Sequence, residues 1–288
     1  MPVHTDFIRI IRRRIKSAQN IAQITKAMEM VAASKMKKAQ DQALLGKPYA
    51  EKIYQAVREL GSHIEKKFHP LLSAGNPEGK ILVVLISTNK GLCGGLNTNL
   101  FRMVQKIWMA KDIDFVSVGK KGESFIIRTG KSLIADFSQK TPFVENVPAL
   151  AKTLVDGFIA GTYKEIYLAY NTFMTALKQI PTKKVILPLS AFEEVEAKPE
   201  IRFSEFVIEP NISDILENLL PHYLENQIRT AIYEAEASEH SSRMIAMKNA
   251  TDAALDFVDG LTLMYNKARQ EKITYEIADI VTARIAVE

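Results

Sequence analysis

The segment MKNATDAALDFVDGLTLMYNKA, residues 247–268, decides how the rest of the chain is read. In it Met247, Thr251, Ala254, Val258, Leu261, Tyr265 and Ala268 follow strict 4-3-4-3-4-3 spacing. This is the 3.5-residue repeat of a helix that packs lengthwise on another helix. The seam then slips to Ile273, Ile277 and Ile280. From His222 to Glu288 there is no proline and one glycine, Gly260. Fully helical, that stretch would be about 100 Å long at 1.5 Å per residue. A compact chain of this length has a radius of gyration of only about 19 Å. A helix of that length is therefore expected to project from the body.

Its partner stands at the other end of the chain. Phe7 to Leu45 contains neither glycine nor proline, after which Gly46 and Pro48 arrive together. This arm would be about 58 Å long as a helix. Ile8, Ile11, Ile15, Ala18 and Ala22 keep the same alternation, continued by Thr25, Met28, Val31 or Ala32, Met36 and Ala39. Alanines in a seam let two helix axes approach closely. Because an intervening domain can bring the chain back beside its start, an antiparallel intramolecular pair is expected, with a pair between two chains as the alternative. The division predicted is an N-terminal coiled-coil helix over 1–60, an α/β domain and linker over 61–208, and a C-terminal coiled-coil helix over 209–288.

The middle reads as α/β. ILVVLI (81–86) is a continuous apolar run, as in a strand covered on both faces. Further strands are expected at 115–118, 132–137, 165–171 and 184–189. Helices are expected around Leu96, Leu100, Met103 and Ile107, and around Leu150, Leu154 and Phe158. Such alternation predicts a largely parallel, Rossmann-like sheet with helices on its faces. The acidic segment 191–205 reads as the connection into the last helix.

Chemistry is hard to find in this chain. The dinucleotide fingerprint laid on Gly91 requires glycine where Cys93 and Leu96 stand. Gly130-Lys131-Ser132 resembles the end of a phosphate loop, but Phe125 occupies the position of that motif's first glycine. The five histidines show no i, i+3 or i+4 pair to hold a metal. Cys93 lies in a glycine-rich turn and reads as a small core residue before a reactive thiol. Glu193 and Glu194 read as solvated linker residues. No catalytic residue, cofactor or metal is expected.

The totals set the class. The 288 residues are 47% hydrophobic and 25% charged, with net charge +5 and pI near 9.0. One cysteine excludes an intramolecular disulfide and suggests a reducing compartment. No apolar run approaches 18 residues, and the N-terminus lacks the continuous apolar core of a signal peptide. Residues 1 to 57 carry eleven Lys/Arg against four Asp/Glu, a net +7 that suits an acidic partner. A nucleic-acid-binding coiled coil is one reading of that charge, although aromatic side chains do not interleave with it. A nucleotide-dependent enzyme built on the middle domain is another.

Four stretches, ITKAMEMVAASKM (24–36), GLCGGLN (91–97), ASEHSSRMIAMKNATD (237–252) and LMYNKARQEKIT (263–274), together resemble the gamma subunit of F-type ATP synthases, in its bacterial form. The resemblance spans both arms and the middle domain, in order. It implies a non-catalytic central rotor shaft inside a ring of three alpha and three beta subunits, one copy per complex. The α/β domain would sit beside the epsilon subunit and the c-subunit ring, peripheral to the cytoplasmic face of the bacterial plasma membrane. Proton flow would turn the shaft and drive ATP synthesis at the beta sites. The resemblance implies Met28 as a contact with beta, and Arg269, Gln270 and Thr274 as contacts on the other side of the shaft, with Lys26 and Arg243 of the same kind. It also implies that the apolar C-terminal turns rotate in a sleeve at the top of the ring. Tyr275 and the Arg12-Arg13-Arg14 run depart from the usual pattern.

Overall fold

The computed structural model describes residues 2–62, 69–189 and 211–285. They divide into two compact units, Met1–Ala33 with Arg243–Glu288, and Ser34–Ser242. Two helices contribute to both: α1 (Pro2–Ser62) and α5 (Ile212–Ile285). Each is longer than its proline-free stretch, for Pro48 lies inside α1 and Pro221 inside α5. A proline in a helix interior forfeits one backbone hydrogen bond and costs about 3 kcal/mol. Nearby apolar burial offsets that cost: Ile53 in α1, and Leu216, Leu220, Tyr223 and Leu224 in α5, are all within the core. The acidic segment 191–205 lies outside the described residues.

In the unit of the chain ends, α1 and α5 run antiparallel. The hydroxyls of Thr25 and Thr251 are hydrogen-bonded at 2.7 Å. An Arg12 guanidinium nitrogen donates to the Tyr265 hydroxyl at 3.5 Å, with the guanidinium 5.8 Å from the ring centroid. The pairing is thus made within one chain. Ile11, Ala18, Ala22 and Ala32 of α1 are buried, as are Met247, Thr251, Leu261 and Ala268 of α5. Ile11, Leu261 and Ala268 pack together, flanked by Ile8, Ile15 and Tyr265. Between the two candidates for the next seam position, Ala32 is 2% exposed and Val31 56%. Burial goes to the smaller residue because it lets the axes stay close.

The seam does not continue to Ile273, Ile277 and Ile280. Extending the register from Thr25–Thr251 sets the first residues of α1 opposite about residue 274 of α5. Nothing of α1 lies opposite the last turns, and Ile277, Ile280, Val281 and Ile285 are between 51% and 69% exposed.

The second unit is built on a five-stranded sheet in the order β3-β2-β1-β4-β5. β1 (Lys80–Ile86), β2 (Ile113–Val118), β3 (Ser132–Asp136) and β4 (Tyr163–Thr175) are parallel where they pair, and β5 (Lys178–Leu187) is antiparallel to β4. The strand period of two sorts the side chains of β1 cleanly. Ile81, Val83 and Leu85 face Leu100, Val104 and Trp108 of α2 (Leu96–Trp108) and Ile126 of α3 (Lys120–Arg128). Leu82, Val84 and Ile86 face Val147, Leu150, Leu154 and Phe158 of α4 (Val147–Ile159) and the buried stripe of α5 from Leu216 to Ile232. Three layers result, with β1 at the centre and covered on both faces.

Two elements differ from the sequence reading. α3 was not expected between the second and third strands, since nine residues with two buried positions carry little periodicity. β5 begins at Lys178 and forms a long hairpin with β4, so Pro181 sits within it. An edge strand tolerates proline because its outward N–H has no ladder partner to lose.

Candidate functional site

In an open α/β sheet, ligands bind at the carboxyl ends of the strands where the strand order reverses. Here that place lies between β1 and β4. β1 ends at Ile86 and is followed by Ser87, Thr88, the loop containing GLCGGLN and the start of α2. The loop is braced internally. Thr88 Oγ1 donates to the Lys90 carbonyl at 2.7 Å and accepts from Asn97 Nδ2 at 2.7 Å, and Leu92 takes a left-handed φ of 63°. Cys93 is buried, and Asn97 Nδ2 also lies 3.5 Å from its sulfur.

The mouth of this crevice is crossed by α5. Ser238 Oγ donates to the Asn171 carbonyl at 2.9 Å, Ser241 Oγ to that of Ala176 at 2.5 Å, and Ser242 Oγ to that of Cys93 at 2.7 Å. The motif ASEHSSR is therefore explained by size and by donors. Small side chains let the helix approach the β4–β5 hairpin and the GLCGG loop, and their hydroxyls donate to carbonyls of β4, of the β4–β5 turn and of that loop. The cavities left there measure about 10 Å³ and 150 Å³. The smaller holds about one water.

The tripeptide Gly130-Lys131-Ser132 makes no phosphate cradle. Gly130, at φ 68°, ends α3 and turns the chain into β3, while Lys131 Nζ donates to the Lys111 carbonyl at 2.9 Å. Gly119 is held by sterics: its φ is 113°, and a Cβ there would lie 2.2 Å from the Ser87 carbonyl oxygen. Ser87 Oγ meanwhile donates to the Gly119 carbonyl and accepts from the Gly122 N–H.

Polar groups near the mouth escaped the sequence reading. Glu236 and Glu239, one helical turn apart, line the smaller cavity together with Asn171. Burial first, and then the Glu239 charge, push the Glu236 carboxyl up to about 7, against a backbone hydrogen bond at Phe143 and the Lys35 charge. Beside them Lys184 Nζ donates to Gln227 at 2.5 Å, and the Tyr170 phenol is raised to about 12 by burial and Glu234. Glu239 lies within the ASEHSSR stretch, but nothing local in the sequence sets it beside Asn171, which belongs to β4. Among the described residues no group of three or more His, Cys, Asp or Glu is placed to hold a metal. Glu193 and Glu194 fall outside the described residues.

The residues implied as partner contacts all belong to the paired chain ends, and they fall at two levels. Lys26, Met28 and Arg243 form one. Met28 and Arg243 are half-buried, while exposed Lys26 pairs with Glu29 at 3.0 Å. Arg269, Gln270 and Thr274 form the other, all exposed, with Thr274 Oγ1 bonded to the Gln270 carbonyl at 3.0 Å. Following the register, the levels are separated by about twenty residues, or about 30 Å of helix. Arg12, Arg13, Arg14 and Lys16 are exposed. So are apolar side chains away from the seam: Ile21, Ile24 and Val31 on α1, and Phe257 and Met264 on α5.

The described residues form an antiparallel helix pair from the chain ends and a three-layer α/β unit whose strand-end crevice is crossed by the last helix. A chain of the Tetrahymena thermophila mitochondrial ATP synthase central stalk and c-ring matches with a TM-score of 0.59 at 26% identity, over 79% of this chain and 99% of that one. A chain from the Euglena gracilis mitochondrial ATP synthase shares the fold, with a TM-score of 0.65 at 20% identity, over 98% of this chain and 95% of its own. The family model for ATP synthase matches residues 8–287. ATP synthase gamma chains of Dehalococcoides mccartyi and Coxiella burnetii are each 40% identical, over 97% of this chain and 99% of theirs. That of Thiobacillus denitrificans is 39% identical over 96% and 98%. The chain belongs to the ATP synthase gamma chain family.

Proposed function

We propose that the chain is the central rotor shaft of an F-type ATP synthase of bacterial type, coupling proton flow to ATP synthesis in the beta subunits by rotation. On this reading it is a subunit of the enzyme with no catalysis of its own. The observation that carries it is the excess of apolar surface on the paired helices. A two-helix seam is fully served by Ile11, Ala18, Ala22, Leu261 and Ala268, yet Ile21, Ile24, Phe257 and Met264 face outward and the last turns of α5 stand uncovered. Exposed apolar area of this extent calls for a surrounding partner.

A ligand shifts a conformational equilibrium only through contacts that differ between the two states. A stiff rod whose faces differ can therefore drive beta sites through successive conformations without reactive groups of its own. Met28, Lys26 and Arg243 at one level, and Arg269, Gln270 and Thr274 at the other, are our proposed contacts with the alpha/beta ring. Segments 1–60 and 209–288 would form the shaft. Segment 61–208 would meet epsilon and the c-subunit ring, one copy per complex, on the cytoplasmic face of the bacterial plasma membrane. A peripheral position agrees with the lack, among the described residues, of a helix long and apolar enough to cross a membrane.

The test is reconstitution with alpha and beta. The chain should co-purify with the ring and change its rate of ATP hydrolysis. The double variant Arg269→Ala, Gln270→Ala should weaken that effect while leaving the helical content intact. A ring that hydrolyses ATP identically with and without the chain would overturn the reading.

A further inference from the structure

Glu236 stands where α5 crosses the sheet, against Ile86 of β1, Leu96 of α2 and Phe143. Phe143, 6% exposed, opens the 3₁₀ turn Phe143–Asn146 that runs directly into α4. Pro142 precedes it and supplies no side-chain cap, so the Phe143 N–H needs an acceptor from outside the turn. The Glu236 carboxyl is that acceptor, which ties α5 to the start of α4. The residues lining this place from the end of β1, from β4 and from α2 are apolar or neutral. On α5 itself the Glu239 charge opposes ionisation of Glu236, and His240 follows one turn on. From α1 comes the charge of exposed Lys35, while Glu145 of the turn is paired with Lys140 at 3.4 Å. An ionised Glu236 is thus taken out of water near a second carboxylate, offset by a backbone donor and a solvated cation. The neutral acid avoids that cost and keeps the Phe143 bond, since its carbonyl oxygen still accepts.

We infer that Glu236 is a proton-operated latch: α5 docks tightly on the sheet and on the start of α4 with this carboxyl protonated, and loosens there once it ionises. Burial first, and then the Glu239 charge, raise the carboxyl to about 7, so the latch works near neutrality. A carboxyl raised in this way binds its proton more tightly in the folded chain than in the unfolded one. Its contribution to stability is complete below the unfolded value and is lost as pH rises through the folded one. Tight docking therefore belongs to the acid side and fades as pH climbs past about 7. The latch is a property of the chain itself and does not depend on the rotor reading.

The experiment uses the full chain with ¹³C-labelled glutamate carboxyls, titrated by NMR across neutrality. In parallel, hydrogen exchange, corrected for the intrinsic rate at each pH, reports local opening at Phe143 and at the α5 amides near residue 236. The Glu236 resonance, identified by its loss in Glu236→Gln, should titrate near 7. Local opening should grow by about tenfold or more over the same range. Glu236→Gln should abolish that growth and stay tight at every pH. Lys35→Met, a change at an exposed position, should keep the transition but move its midpoint upward, a shift that a merely structural role for Glu236 would not produce. The inference falls if the Glu236 carboxyl titrates at its ordinary value of 4.5. It falls equally if the transition survives in Glu236→Gln, as it would were His240 the titrating group, or if Lys35→Met leaves the midpoint in place.

Discussion

Replacing Leu261 by alanine tests the seam directly. Leu261 is 5% exposed and packs on Ile11 and Ala268, while Leu263, on the same helix two residues later, is 73% exposed. Buried Leu→Ala substitutions cost about 2–5 kcal/mol, from the transfer of the lost methyl groups plus the cavity left behind. A two-helix seam is open to water along both sides and can close partly over the gap, so the lower half of that range, about 2–3 kcal/mol, is expected. Leu263→Ala should stay within about 0.5 kcal/mol. Hydrogen exchange of the amides flanking residue 261 is the appropriate assay, because it reports local opening even when the second unit stays folded. An opening cost of 2–3 kcal/mol speeds exchange there by about 30- to 150-fold. Equal acceleration in Leu263→Ala, or none in Leu261→Ala, would refute the assignment of the buried face and with it the antiparallel register.

The Thr25–Thr251 contact permits a double-mutant cycle: each hydroxyl also reaches a carbonyl of its own helix, so each single change to valine should cost no more than about 1 kcal/mol, and the double change less than the sum. Urea denaturation of the four proteins measures it. Gly119→Ala should destabilise the second unit by more than about 3 kcal/mol, since the new Cβ would sit 2.2 Å from a backbone oxygen at a φ of 113°. Thermal unfolding of that variant beside Gly260→Ala, where a Cβ meets nothing within 4 Å and the helix gains propensity, checks the claim. Ser238→Leu should loosen the docking of α5 on β4, because Ser238 is wholly buried and its hydroxyl serves the Asn171 carbonyl. Faster exchange of the α5 amides around residue 238 is the expected sign.

Much of this protein could be read from spacing alone. A 3.5-residue repeat at Met247, Thr251, Leu261 and Ala268 determines which face of a helix is buried, whatever lies opposite. An apolar run such as ILVVLI determines a strand covered on both sides. Both are properties of consecutive residues, so the chain states them locally. The register of the seam was not local: Val31 and Ala32 are both apolar, and only the pairing with α5 settled which one is buried. Short α3 and the Pro181 segment of β5 were hidden because few of their contacts lie within the element itself. The long helices likewise pass through Pro48 and Pro221, where burial outweighs a local penalty.

Tertiary structure alone decided the fate of the crevice. The serines of ASEHSSR and the glycines of GLCGGLN are separated by about 140 residues in sequence, and nothing in either says that one closes over the other. The same crossing assembles Glu236 and Glu239 with Asn171. A cluster drawn from a helix and a strand exists only once the chain has folded, because its geometry is set by packing between layers, and no period in the sequence encodes that.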